Sequence, residues 1–214
     1  ILIVTDLKET HFQRSKDMFA QIKSYPTLLA SLDFWLPTIT FALSFSIFGI
    51  FFIGGPYIAV KVFNLSPTTM GIYLAFPSLG YVLGNILISK IANRVSTKTL
   101  MIIGSFVLLL GPLSSLILSH LFFHPLSFFL PILIMTFGSG IIWPASNAEI
   151  VKAVPHLAGS ASGLGSAIMT LMSSFAAFLT GFYIENLNPI DFVCYFLILV
   201  GVLSFLSSLL TKSK

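Results

Sequence analysis

Long uncharged apolar runs separated by short charged or helix-breaking stretches dominate the chain. No Asp, Glu, Lys or Arg lies between Asp33 and Lys61, between Lys61 and Lys90, or between Lys98 and Glu149. The same holds between Lys152 and Glu185 and from Phe192 to Thr211. The gap before Glu149 is long enough for two crossings and breaks at SHLFFHPLSF. These limits predict six spans, at 37–60, 68–89, 99–119, 128–148, 157–183 and 192–211. Apolar runs of more than about 18 residues are too long for strands and match the length a helix needs to cross a bilayer. The expected fold class is an all-α membrane protein, a six-transmembrane-helix bundle.

Composition strengthens that reading. Of 214 residues, 56% are hydrophobic and 8% charged, against roughly 25% charged in a soluble domain. So apolar a surface suits lipid rather than water. Lys and Arg distribute unevenly over alternate loops, and positive residues stay cytoplasmic during insertion. Lys8, Arg14, Lys16, Lys23, Lys90, Arg94, Lys98, Lys152, Lys212 and Lys214 fall on one side, and Lys61 alone on the other. Both ends are therefore expected in the cytoplasm. The net charge of +4 is dispersed over short loops with no interleaved aromatic motif, so nucleic acid is not an expected partner and the lipid bilayer is. Residues 1–33 read as a cytoplasmic linker, 34–211 as the bundle and 212–214 as a tail. Ile1–Val4 either closes an earlier membrane helix or is an isolated apolar tetrapeptide. The sequence begins at Ile1, without a cleavable leader, so a fragment of a longer chain is expected.

The spans differ in composition. From Ala158 to Gly181, 16 of 24 residues are Gly, Ala, Ser or Thr, and small side chains let helices approach closely in lipid. The fifth span is therefore expected inside the bundle, with Gly159 and Gly163 as a GxxxG pair serving helix packing or a substrate contact. The third and sixth spans are rich in Leu, Ile, Val, Phe and Met and are expected to face lipid. Proline frees a carbonyl that hydrocarbon cannot satisfy. Phe48 and Gly49 precede Pro56, and Phe137 and Gly138 precede Pro144. That match fits a three-plus-three inverted repeat, whose broken helices surround a site near the midplane.

Chemistry-bearing residues are sparse. The single cysteine, Cys194, excludes an internal disulfide and any Cys-x-x-Cys site, and it has no neighbouring base. His120 and His124 have the spacing of metal ligands on a helix, but Pro125 follows and no third ligand is near, so they read as solvated loop residues. No catalytic residue, metal site or cofactor is expected, and an intramembrane enzyme or a channel finds no nucleophile set or filter. Glu149 sits at the end of the fourth span, and Lys152, three residues on, is placed to pair with it.

The segments GGPYIAVKVFNLSPTTMGIYLAF, GYVLGNILISKIANRVSTKTLMIIG and GSGIIWPASNAEIVKAVPHLAGSASGLGSAIMTL resemble the second half of a major facilitator superfamily transporter. Within that superfamily the chain is similar to the bicyclomycin-resistance (Bcr/CflA) type of drug:proton antiporter, whose second half starts with a linker similar to DLKET here. The resemblance implies a missing first six-helix half, alternating access and residence in the bacterial inner (plasma) membrane. It also implies proton-coupled efflux of small lipophilic molecules, with the coupling carboxylates in the other half. The superfamily's loop pattern is partly present: Lys90 and Arg94 fit, Ser89 stands where an acid is expected, and Gly84 falls one residue early. Those residues serve either conformational switching or cytoplasmic anchoring. A drug cavity needs apolar and aromatic walls with a few polar handles. The candidates are Phe48, Phe52, Tyr57, Tyr73, Phe76, Trp143 and Asn147; for any one aromatic, packing or lipid contact is the role to expect first, since Phe is abundant throughout the chain. The alternatives are a facilitator carrier for another small solute, or a non-transporting six-helix remnant.

Overall fold

The computed structural model describes residues 25–26 and 28–211, with His156 described by its backbone alone. Most of the expected linker, Ile1–Val4 and the 212–214 tail lie outside the described residues. The rest forms six long helices: α1 (Leu32–Tyr57), α2 (Pro67–Ile91), α3 (Thr97–Leu121), α4 (Pro125–Ala153), α5 (Ala158–Tyr183) and α6 (Pro189–Leu210). All six are long and apolar enough to cross a membrane. α1 begins five residues before the predicted span and α4 ends five after it.

Local chemistry explains where the helices start. Ser66, His124 and Asn188 each cap a helix whose first residue is proline, Pro67, Pro125 and Pro189. Proline's missing N–H is no loss there, and its fixed φ suits the first turn. The capping side chains accept from Thr69 N at 3.2 Å, Leu126 N at 3.2 Å and Ile190 N at 3.2 Å. Ser96 caps α3 in the same way, through Thr99 N at 3.1 Å. Interior prolines do less than expected. α4 runs unbroken through Pro131 and Pro144. After Pro56, α1 passes directly into a π-helical turn, Ile58–Val62, and Asn64 then reverses the chain with φ 53°, a left-handed conformation that Asn tolerates better than most residues.

Helices α1 and α4 form the centre. α1 packs on α4, α5 and α6; α4 packs on α1, α2 and α3; α3 and α6 pack on each other. Exchanging the first three helices for the last three leaves this neighbour scheme almost unchanged, as an inverted repeat requires. The Phe-Gly pairs do not mark equivalent places within it. A Cβ on Gly49 would strike the Ser173 backbone of α5, whereas one on Gly138 would strike Gly104 and Leu108 of α3. The contact on α4 that mirrors Gly49 is made by Gly140, against Tyr81 and Asn85 of α2.

Burial reverses the expectation about the fifth span. Within this bundle α5 and α2 are the least buried helices, and α3 and α6 are more enclosed. Composition averages over all faces of a helix, whereas packing uses one. α3 and α6 turn small residues inward: a Cβ on Gly111 would meet Met135, and one on Gly201 would meet Leu108 and Leu109. Ser115 Oγ donates to Phe128 O at 3.0 Å, Ser204 Oγ to Thr40 O at 3.3 Å and Ser207 Oγ to Leu36 O at 3.0 Å. Such polar clips matter where the solvent supplies no hydrophobic push. The small residues of α5 instead lie partly on an open face, and no atom comes within 4 Å of a Cβ built on Gly159 or Gly163. Within the described bundle that GxxxG pair holds nothing together.

Candidate functional site

An aromatic wall stands where α1, α2 and α4 meet. Phe41, Phe45, Phe48 and Phe52 recur along α1 at steps of four, three and four, which puts them on one helical face. Trp143 of α4 lies among them, its ring 4.6 Å from Phe45, 5.0 Å from Phe48 and 6.5 Å from Phe41. Tyr81 of α2 closes the group at 4.9 Å from Trp143. These separations and tilted geometries suit rings attracting through their quadrupoles. Phe52 continues the wall outward, 5.7 Å from Phe48 and 62% exposed.

The predicted candidates fall into two groups. Phe48, Phe52 and Trp143 share this wall. Tyr73 and Phe76 are 6.0 Å apart and join Phe129, which lies 5.2 Å from Tyr73 and 6.2 Å from Phe51. That second group continues into the core. Tyr57 is half-buried at the end of α1, packed against the same core. Phe41, Phe45 and Tyr81 were missing from the prediction. The heptad-like spacing on α1 is a signal that could have found the two phenylalanines; for Tyr81 there was none, because only the α2–α4 crossing brings it to Trp143.

Polar groups near the wall are few: the Tyr81 hydroxyl on α2 and a group of side chains on α4. Asn147, half-buried and four residues beyond Trp143, accepts from Ser162 Oγ of α5 at 3.2 Å, the helix partner that an amide withdrawn from water needs. Trp143 Nε1 and Ser146 Oγ are buried and have no hydrogen-bond partner among the described residues. A donor left unpaired in hydrocarbon costs energy, so these two atoms are available to a bound molecule or water that reaches them. The wall can therefore hold an apolar or aromatic body, or a diffuse cation over its ring faces, and orient it through a small polar spot.

The remaining predicted residues sit elsewhere. Gly84 is inside α2, within the predicted second span, and there an added Cβ would meet Phe137 O and Gly140 Cα of α4. Lys90 and Arg94 are exposed at the end of α2 and just beyond it, Pro56 is half-buried and Pro144 exposed. Glu149 does pair with Lys152, at 3.2 Å. It also accepts a short hydrogen bond from Thr97 Oγ1, to which Lys152 Nζ donates at 3.1 Å. The carboxylate, 11% exposed, thus ties the start of α3 to the end of α4. His120 and His124 have separate tasks. His120 Nε2 lies 3.0 Å from Asp191 Oδ1, while His124 caps α4.

Comparison with known proteins gives one family. The family model described as Major Facilitator Superfamily matches residues 2–177. No curated protein matches the chain.

Proposed function

The chain belongs to the major facilitator superfamily, and from that membership, which makes it a membrane transport protein, we propose that it is the second half of a proton-coupled efflux carrier for small lipophilic molecules, of the bicyclomycin-resistance type. The observation that carries this reading is the aromatic wall of Phe45, Phe48, Tyr81 and Trp143 on the two central helices and α2, with its small polar spot. Apolar walls with a few placed polar groups suit the recognition of greasy solutes. The other six helices pack over the open faces of α2 and α5, and the stripe of Gly159, Gly163 and Ala167 gives them close approach. The substrate cavity lies between the halves, lined from this side by Phe48, Phe52, Trp143 and Asn147, and rocking of the halves exposes it to each side in turn.

Proton coupling is assigned to carboxylates of the other half. Glu149 is engaged by Thr97 and Lys152 and acts as a clip between α3 and α4. Lys90, Arg94 and both chain ends face the cytoplasm, on the uneven placement of Lys and Arg. The test is dye accumulation in a drug-sensitive bacterial host expressing the full-length protein, with and without an uncoupler. Lower accumulation that the uncoupler abolishes is expected, and Trp143→Ala should remove the effect at equal protein level. Unchanged accumulation with the wild-type protein overturns the efflux reading.

A further inference from the structure

A second feature lies apart from the aromatic wall, at the start of α6. Helices α5 and α6 diverge there and leave a cleft of about 490 Å³. Leu179 and Tyr183 form one wall, Tyr195, Phe196 and Leu199 the other, and Leu187 lies at the loop end. Three of these residues are more than half exposed: Leu187 at 52%, Leu199 at 55% and Tyr195 at 59%. An apolar cleft of this size between spanning helices forfeits dispersion contacts unless something apolar fills it.

One end of the cleft is charged. Asp191, in the first turn of α6, borders it and is 26% exposed in its side chain. Its neighbour on α3 is His120, at 3.0 Å, so one side of the carboxylate is engaged and part of it stays open. The connecting loop adds Glu185, and the Lys or Arg that the loops at this end of the described bundle carry is Lys61, in the π-helical turn after α1. From Asp191 to Leu199 the helix rises about 12 Å, close to half of a hydrocarbon core roughly 30 Å thick. The cleft therefore has the depth of one leaflet, an apolar length and an acidic mouth at the interface.

We infer that this cleft is a lipid site: it takes an acyl chain of a phospholipid with an ammonium headgroup, whose positive nitrogen pairs with Asp191, and it disfavours anionic headgroups. The inference is independent of what the aromatic wall transports. It predicts about a fivefold preference for phosphatidylethanolamine over phosphatidylglycerol, the ratio an interfacial ion pair can sustain.

The full-length protein, placed in nanodiscs of equal phosphatidylethanolamine and phosphatidylglycerol, would be released for native mass spectrometry and its retained lipids counted. Other lipid-facing surfaces contribute equally to wild type and variants, so the difference between them reports this cleft. Asp191→Asn keeps the helix start and should bring the retained ratio close to one. Leu199→Trp fills the cleft and should lower retention of both lipids. His120→Ala removes that neighbour of Asp191 but leaves the carboxylate, and should keep or raise the preference. Equal ratios in wild type and Asp191→Asn overturn the inference, as does a loss of preference in His120→Ala matching that in Asp191→Asn.

Discussion

Replacing Gly138 with alanine tests the packing logic of the bundle directly. A Cβ at this position would lie 2.5 Å from both Gly104 O and Leu108 N and 2.8 Å from Leu108 Cα. All three are backbone atoms of α3, so no rotamer change relieves the clash, and α3 must retreat by roughly 1 Å to restore van der Waals distance. The seam that opens includes the Gly111–Met135 contact and the Ser115–Phe128 hydrogen bond. Overpacking of this kind costs about 1–3 kcal/mol, and alanine's better helix propensity returns about 0.5–1 kcal/mol. The net loss, about 1–2 kcal/mol, corresponds to a fall in Tm of roughly 2–8 °C for a chain of this size. Gly163→Ala is the matched control, because no atom lies within 4 Å of its added carbon. It should leave Tm unchanged or raise it by roughly 1–4 °C. Cys194 is the single cysteine and fully buried, so a thiol-reactive fluorophore reports unfolding of this chain in detergent. Gly138→Ala melting at or above the wild-type temperature, or Gly163→Ala falling equally, refutes the reasoning.

Further outcomes follow from the same geometry. Thr97→Val removes a hydroxyl bound to both Glu149 and Lys152 and should cost about 1 kcal/mol, while Lys152→Ala, with its side chain 56% exposed, should cost less; the order of the two melting temperatures checks this. A double-mutant cycle on Asn147→Leu and Ser162→Ala should show coupling of about 0.6 kcal/mol, measured in the same thiol assay; additive losses sink the pairing. On the proposed efflux reading, Gly163→Leu in the full-length protein should abolish dye efflux at normal expression, yet leave the melting temperature of the 214-residue chain nearly unchanged. Equal efflux by wild type and Gly163→Leu would remove the other half from that face of α5. Trp143→Phe keeps a ring but loses the unpaired Nε1 donor, so it should retain efflux of dyes that lack an acceptor and lose those that carry one, by about threefold to tenfold.

Everything that depends on the solvent and on the local chain was legible along the sequence. The absence of charge over long runs fixes six apolar helices, because lipid demands closed backbone hydrogen bonding and an apolar exterior. Segment order likewise carried the family, which the match over 2–177 bears out. The sequence could not say which face of a helix meets which neighbour. All spans are apolar on every side, so the hydrophobic pattern that orients helices in water is missing here. Close contacts then hinge on individual small residues. Gly138 and Gly140 lie two apart on α4 yet serve α3 and α2 respectively, while a Cβ on Gly159 or Gly163 of α5 would meet no atom of the described residues within 4 Å. The site shows the same division. Phe41, Phe45, Phe48 and Phe52 share a face by spacing alone, but Tyr81 joins Trp143, and Ser162 joins Asn147, only through the crossings of α2 and α5 with their neighbours. Tertiary structure decided those pairings because they depend on how closely two backbones approach, and a single hydrogen atom in place of a methyl group sets that distance.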